Sequence, residues 1–243
     1  MGQRFVTFFE NEDSTKSGDT HITVSNETIE VVIKFNIRGN LRLLSHAEML
    51  KVFQRACARA GIKPAYGKGF HPRPKLSLPL PRSVGIETDD DLLCLRVETS
   101  ASSFDSKQFK DKLSSHLPEG CKVLTVSKAK VKTKFQASAA TYVLPVHQKY
   151  INKKLKSRIE RLLAMESLNL KRGRGPNNSK FKNVDVRPFL KSIELDGRNI
   201  IVECKISPAG SIRVDEILEL LELEYEMLAA PIRRTKVQWQ LSS

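Results

Sequence analysis

The sequence has few cysteines and no long apolar run, and each shortage excludes a class of protein. No apolar stretch approaches the roughly 20 residues of a membrane-spanning helix, and the first residues do not have the pattern of a signal peptide. We therefore expect a cytoplasmic protein that does not enter a membrane. The 4 cysteines are dispersed among apolar neighbours, without a C-x-x-C pair or a histidine at ligand spacing. This pattern is typical of reduced core residues, so we expect no metal and no cofactor.

Catalytic motifs are also missing, since the sequence contains no P-loop, no dinucleotide-binding fingerprint and no nucleophile elbow. His46 follows a predicted helix cap and His71 lies in a basic loop. Either imidazole could act as a general acid or base in RNA cleavage, beside a Lys or Arg that stabilises the phosphorane. A single histidine in a basic loop binds RNA more often than it cleaves it. We therefore expect no catalytic centre, and His46 and His71 are the only candidates for one.

Acidic residues are scarce relative to basic ones. The chain has 27 Asp and Glu against 41 Lys and Arg, which gives a formal net charge of +14. Such an excess predicts attraction to polyanions, and nucleic acid is the first of these. The excess is concentrated: residues 38–82 contain ten basic residues and one acid, and residues 122–192 contain eighteen basic residues and three acids. Concentrated charge indicates docking faces rather than a generally solvated surface.

Hydrophobic periodicity predicts an α+β protein of two tandem ferredoxin-like domains. Residues 28–128 give the order strand, helix, strand, strand, helix, strand, which is the βαββαβ pattern. An S-x-x-E capping box at residues 45–48 marks the start of the first helix. After a linker at residues 129–135, the same order returns in residues 136–243. Residues 1–27 show no sustained period and predict a flexible tail.

The second predicted domain carries weaker signals than the first. A strand is expected at residues 166–170, followed by a loop in which Gly and Pro interrupt regular structure. Asp196-Gly197 is a strong hairpin turn. Ser211 is expected to cap the last helix. In the segment D-V-R-P, Asp185 and Arg187 are expected to serve structure before chemistry.

A loop at residues 65–75 combines glycine, aromatic and basic residues. Glycine permits close approach to a phosphate, and aromatic rings or an imidazole can stack on bases. The alternative is a proline-stiffened brace with Tyr66 and Phe70 in the core. Basic residues also follow one face of the first and third predicted helices, and an RGRG segment resembles RNA-binding RGG repeats. The predicted RNA-binding residues are Lys51, Arg55, Arg59, Tyr66, Lys68, Phe70, His71, Arg73, Lys75, Lys153, Arg172, Arg174 and Arg187.

Several segments together resemble the radical-SAM-linked family, a domain of unknown function that is fused to, or encoded beside, cobalamin-binding radical SAM proteins. The segments are S-H-A-E at 45–48, A-Y-x-x-G-F-x-P-x-P-K-L-S at 65–77, D-V-R-P at 185–188, G-S-I-R-V-D-E at 210–216 and R-T at 234–235. The resemblance covers residues 28–242 and implies an accessory to RNA maturation or modification. Two departures are Glu48, where an Asp is expected, and His71, where many relatives have Asn. The second weakens a catalytic role for His71.

These observations lead to one expected function and two alternatives. We expect a non-catalytic RNA-binding accessory protein that acts on structured RNA such as tRNA or rRNA. The resemblance implies a separate cobalamin-binding radical SAM protein as a second partner. The chain cannot be that enzyme, because it has no clustered cysteines for a radical SAM cluster. The alternatives are a metal-independent endoribonuclease and a basic protein-interaction adaptor.

Overall fold

Alternating apolar side chains build the central strand of the first half. The computed structural model describes residues 27–99, 103–130, 133–173 and 181–242. Strand β1 (Thr28–Ile37) buries its odd-numbered residues in a core shared with two helices.

The tail predicted for residues 1–27 lies outside the described residues except for Glu27, and Arg174 lies outside them too.

The remaining elements alternate between helices and strands in both halves. The first half continues with α1 (His46–Arg59), β2 (Leu76–Ser77), β3 (Glu87–Glu98), α2 (Ser106–Ser114) and β4 (Cys121–Ala129). The second half contains β5 (Lys134–Pro145), α3 (Lys153–Ala164), β6 (Asn169–Arg172), β7 (Lys182–Asp185), β8 (Leu190–Asp196), β9 (Asn199–Ser207), β10 (Gly210–Ser211), α4 (Val214–Leu221) and β11 (Arg233–Ser242).

Helix α1 begins and ends at signals that the sequence carries. The Ser45 Oγ accepts a hydrogen bond from the Glu48 N–H (3.3 Å), and the Glu48 carboxylate accepts one from the Ser45 N–H (2.8 Å). The predicted capping box is therefore confirmed. At the other end Gly61 adopts a positive φ of 66°, which a glycine tolerates best. The Ile62 N–H then donates to the Cys57 carbonyl (3.0 Å), so a Schellman motif fixes Ile62 against the helix end.

The strands of both halves join in one mostly antiparallel sheet. In the first half β1 pairs with β3 on one side and β4 on the other, and β2 makes a short pairing with β3. In the second half β5 pairs with β9 and β11, and β8 pairs with β9. The halves meet where β11 runs parallel to β3, with Arg234 opposite Thr88. Within the described ranges, this nine-stranded sheet and four α-helices confirm the predicted α+β class.

Two details of the second half differ from the prediction. The strand expected at residues 166–170 is β6, which starts later and pairs with β7 in a separate two-stranded sheet. A strand this short has too little alternation to reveal its partner. The helix expected after Ser211 starts at Val214, because Ser211 lies in β10. The Glu216 carboxylate stabilises the helix start by accepting a hydrogen bond from the Arg213 N–H (2.8 Å).

All four cysteines lie in the interior and form no disulfide. Burial raises the pKa of Cys57 and Cys94 to about 11 and the pKa of Cys121 and Cys204 to about 12. The thiols therefore stay protonated at neutral pH, and the prediction of core cysteines is confirmed. No α-helix in the described part of the chain is long and apolar enough to cross a bilayer.

Candidate nucleic-acid interface

The outer face of α1 carries a row of basic side chains. Lys51, Arg55 and Arg59 recur every four residues, which places them about 6 Å apart along the helix axis. All three are exposed, because the opposite face of the helix packs Met49 and Phe53 into the core. None of the three forms an ion pair with a carboxylate among the described residues. Their charge is therefore available to a polyanion.

Residues 65–75, which we call the basic hairpin, follow α1 and project from the edge of β3. The Lys75 N–H donates to the Ala65 carbonyl (2.7 Å), and the Gly67 N–H donates to the Arg73 carbonyl (2.9 Å). The base of the hairpin is bonded to Arg96 of β3, whose carbonyl accepts from the Ala65 N–H (2.8 Å). These bonds hold the two arms together, and residues 68–72 form the tip.

The two aromatic rings of the basic hairpin lie outside the core. Phe70 is fully exposed at the tip, with a relative exposure of 103%, and Tyr66 is 53% exposed. His71 is exposed next to Phe70. The alternative of a brace with both rings in the core is therefore wrong. Exposed rings flanked by cations are the arrangement that stacks on nucleobases.

The exposed cations of α1, of the hairpin and of the short segment between them form one group, which we call the basic face. All of its members are exposed, and none pairs with a carboxylate in the part of the chain that the structure describes. Its members are Lys51, Arg55, Arg59, Lys63, Lys68, Arg73 and Lys75.

Three other basic residues of the same segment have structural roles. Arg38 forms a salt bridge with Asp89, and Arg42 donates to the Gly39 carbonyl (2.9 Å). Arg82 donates to backbone carbonyls that include those of Ile86 (2.6 Å) and Arg42 (2.8 Å). Burial lowers the pKa of Arg82. Arg82 thus fixes the connection between the hairpin and β3, Arg38 binds the start of β3, and Arg42 bonds within its own turn, so none of the three belongs to the basic face.

A groove of about 360 Å³ separates α1 from the basic hairpin. Gln54 and Ala58 of α1 line one wall, and Tyr66 and Pro74 of the hairpin line the other. Ile62, which the Schellman motif fixes at the end of α1, also lines the groove. The sequence alone did not indicate this groove, because it depends on how the hairpin folds back along the helix.

Two of the three described residues that were predicted as RNA contacts in the second half are engaged elsewhere. Arg172 forms a salt bridge with the buried Glu216 (2.7 Å from Nη2 to Oε2) and donates to the Ser211 carbonyl (2.7 Å). Arg187 donates to three backbone carbonyls, including those of Leu163 (3.0 Å) and Met165 (2.9 Å) at the end of α3. Both guanidinium groups therefore brace the fold, and the basic face does not extend to them.

Helix α3 is basic, but part of its charge is neutralised. Glu222, just after α4, forms salt bridges with Arg158 (2.6 Å) and Lys154 (3.3 Å). The cations hold the pKa of the Glu222 carboxyl below its usual value. Lys153 and Lys156 are exposed and form no ion pair within the described ranges. Lys153 therefore stays a predicted RNA contact, apart from the basic face.

The two candidate catalytic histidines lie on different elements. His46 is the first residue of α1, about 20 Å along the axis from the other end of that helix, whereas His71 lies at the hairpin tip. No hydrogen bond from a described residue orients either imidazole. No group of three or more potential metal ligands occurs in the described ranges.

The model of one protein family matches residues 30–218, which is more than half of the chain. The chain belongs to the family described as "Uncharacterized protein conserved in bacteria (DUF2344)". The match covers the basic face and most of the second half. A comparison with curated proteins gives no match.

Several solved structures also match, and one is an unknown protein from Galdieria sulphuraria, determined by crystallography. It is 11% identical in sequence, with a TM-score of 0.27, and the alignment covers 89% of this chain and all of that one. A similarity at this level supports no conclusion about fold or function.

Asp185, in the D-V-R-P segment, has a structural environment. Its carboxylate accepts hydrogen bonds from the N–H groups of Leu168 (2.8 Å) and Arg187 (3.0 Å), which hold its pKa below the usual value. Asp185→Asn is expected to lower the melting temperature by a few degrees at neutral pH, since a neutral amide oxygen is a weaker acceptor. RNA affinity should be unchanged.

The effect of Asp185→Asn should depend on pH with a defined sign. Because the folded pKa is depressed, the stabilisation is complete above the unfolded value of about 3.9 and is lost as pH falls through the folded value. Thermal unfolding between about pH 2 and pH 7 should therefore show the two proteins converging below about pH 4. Lost RNA affinity at an unchanged melting temperature would instead identify Asp185 as an RNA contact.

Proposed function

We propose that the protein binds RNA through the basic face and acts as a non-catalytic accessory on structured RNA such as tRNA or rRNA. The observation that carries this proposal is the combination of unneutralised cations with two exposed aromatic rings on adjacent surfaces. Cations neutralise phosphates and release counterions, and aromatic rings stack on bases of any sequence. An acidic protein partner would form ion pairs with the cations, but its carboxylates would not stack on the aromatic rings. The combination therefore favours RNA.

We also propose that each half of the protein is a ferredoxin-like domain. In the first half the strands lie in the order β4, β1, β3, β2, and in the second half in the order β11, β5, β9, β8. Both orders place the first strand beside the third and fourth, as antiparallel βαββαβ units with two helices do. The β6–β7 hairpin is then an insertion in the second domain.

The resemblance to the radical-SAM-linked family supports a proposal about the partner. An accessory that holds RNA would present it to a separate cobalamin-binding radical SAM protein, which would supply the chemistry. We place this activity in the cytoplasm, where thiols stay reduced and where tRNA and rRNA both occur. Co-purification of RNA and such an enzyme with the full chain is the direct check.

The basic hairpin provides the first test of RNA binding. Replacing Lys68, Arg73 and Lys75 together with Ala should remove up to three phosphate contacts. The slope of log K against log salt should then flatten by up to about 2, at about 0.7 per contact for a single strand. Affinity should fall for all sequences alike. Filter binding over a range of salt concentrations measures both quantities.

A charge-matched control separates specific contacts from general attraction. Lys182, Lys205 and Lys236 are exposed and lie in the second half. Their replacement with Ala removes the same charge, and it should leave the salt slope near that of the wild type. A hairpin variant that keeps both affinity and slope would show that the hairpin does not contact RNA. A discrete cut in labelled RNA, abolished by His71→Ala, would support the endoribonuclease alternative instead.

A further inference from the structure

We infer that the groove between α1 and the basic hairpin holds one unpaired nucleotide of the bound RNA, with its base against Tyr66. This inference rests on the proposed function and makes it more specific, because it names a single-stranded segment as the element that is read. The volume of about 360 Å³ lies within the range of small-molecule sites, about 300–1,000 Å³.

The walls of the groove offer flat and apolar surfaces to a base. Tyr66 and Pro74 lie opposite each other in the hairpin, where they form an isolated antiparallel bridge. Tyr66 is half exposed, so one face of its ring is available for stacking. Ala58 on the facing wall is small and leaves room between helix and ring. Ile62 adds an apolar side chain to the lining, without a polar group that would need a partner.

The charges around the groove favour a base inside it and phosphates outside it. Lys63 and Glu98 both line the groove, so its lining has no net formal charge, whereas the basic face around it carries an excess of cations. Arg55 and Arg59 are exposed and each follows a groove residue, Gln54 or Ala58, so cations are available beside the groove for the phosphates. The Gln54 amide can donate to and accept from a base edge. A nucleotide would thus enter base first, with its phosphates on the rim.

The groove exists before any RNA binds. The hairpin arms are bonded to β3, since the Arg96 N–H donates to the Lys75 carbonyl (2.9 Å) and the Arg96 carbonyl accepts from the Ala65 N–H (2.8 Å). On the other side, the Schellman motif fixes the end of α1. A preformed site avoids the ordering cost that weakens binding by a mobile loop.

The two grooves beside α3 are less suited to a base. One has no aromatic residue in its lining, and the other, beside Tyr150, has a volume of about 190 Å³ and is lined by Glu222, which already neutralises Lys154 and Arg158. A base in a duplex is paired and stacked and cannot enter a groove of this kind. Single-stranded loops, bulges and ends supply unstacked bases. The groove therefore selects single-stranded segments of a structured RNA.

Replacement of the Tyr66 ring tests the inference. Tyr66→Ala should weaken binding of a fluorescein-labelled single-stranded RNA 12-mer by roughly 5- to 150-fold, the range for loss of one base–aromatic stack. Tyr66→Phe keeps the ring and should bind within about threefold of the wild type. The salt slope should be the same in all three proteins, because no charge is removed. Binding of an RNA duplex of equal length should not change.

Matched controls and direct evidence of stacking complete the experiment. Tyr225 in the second half is 58% exposed, and Tyr225→Ala should bind the single strand like the wild type. With 5-iodouridine in the 12-mer, irradiation should crosslink the RNA to Tyr66. Equal loss of duplex and single-strand binding in Tyr66→Ala, or no loss of either, would overturn the groove assignment while leaving RNA binding intact.

Failure of the proposed function has a different signature. A wild type that binds neither RNA, or binds without dependence on salt, would overturn RNA binding and the groove assignment together. Poly-glutamate provides the remaining comparison. If it binds the wild type more tightly than the 12-mer and loses affinity in Tyr66→Ala, the groove belongs to an acidic protein partner.

Discussion

Asp91→Ala is expected to cost about 3–5 kcal/mol of the free energy of unfolding, because it leaves a buried guanidinium without its counterion. Arg234 of β11 is 1% exposed and pairs with Asp91 of β3, which is 6% exposed. The Arg234 Nη1 also donates to the Pro81 carbonyl (3.1 Å), and the Arg234 Nε is buried without a partner among the described residues. Differential scanning fluorimetry should show a melting temperature lower by roughly 6–20 °C.

The electrostatics explain why this ion pair is sensitive to the loss of one partner. Burial lowers the pKa of Arg234, but Asp91 and the neighbouring Tyr142 outweigh that effect, so the pKa is raised overall. The guanidinium therefore stays charged in the interior and has no water to replace the lost carboxylate. Since Arg234 lies on β11 and Asp91 on β3, the pair joins the two halves where their strands meet.

Two comparisons decide whether the effect arises from a buried charge. Asp90, the next residue, forms a surface salt bridge with Lys34 (3.2 Å), and Asp90→Ala should cost at most about 1 kcal/mol. The double variant Asp91→Leu with Arg234→Met removes both charges and should recover much of the stability lost in Asp91→Ala. A double variant as unstable as the single one would show that packing, and not the unpaired charge, dominates.

The sequence predicts local structure in this protein better than it predicts partners. The capping box at residues 45–48 and the alternation in β1 are encoded within a few residues, and both match the structure. The partner of β6 and the start of α4 depend on packing between segments distant in the chain. The Asp91–Arg234 pair spans 143 positions, and no local pattern identifies these residues as partners, because half-buried residues of the same type, Asp90 and Arg233, lie beside them.

The same limit applies to the charged residues. From the sequence, Arg172 and Arg187 resemble Lys51 and Arg55, because all lie in segments rich in cations. In the structure, Arg172 forms a salt bridge with Glu216, and Arg187 donates to carbonyl groups at the end of α3. Arg55 has no salt bridge with a described carboxylate, and Lys51 has none either, although it is near enough to Glu48 to help lower the pKa of that carboxyl. Charge density thus finds the basic segments, but only three-dimensional contacts reveal which cations are unneutralised.

This distinction leads to a strong expectation for RNA binding. Replacing all seven members of the basic face with Ala should flatten the slope of log K against log salt by up to about 5, at about 0.7 per phosphate contact. The wild type should lose roughly a thousandfold in affinity between about 50 and 200 mM salt, and the variant should lose most of that dependence. Each side chain is exposed, so the fold should tolerate the changes, with about 0.5 kcal/mol or less per residue.

A second seven-residue variant makes the result specific to the basic face. Exposed lysines elsewhere provide the same loss of charge from the initial +14, so long-range attraction is matched. The control set is Lys107, Lys112, Lys122, Lys156, Lys182, Lys205 and Lys236. If it flattens the slope as much as the first set, binding is general attraction to a basic protein. If only the control set does so, the RNA contacts the surfaces that carry the control lysines and not the basic face. Contact at the basic face requires that its own variant lose both affinity and slope while the control keeps most of each.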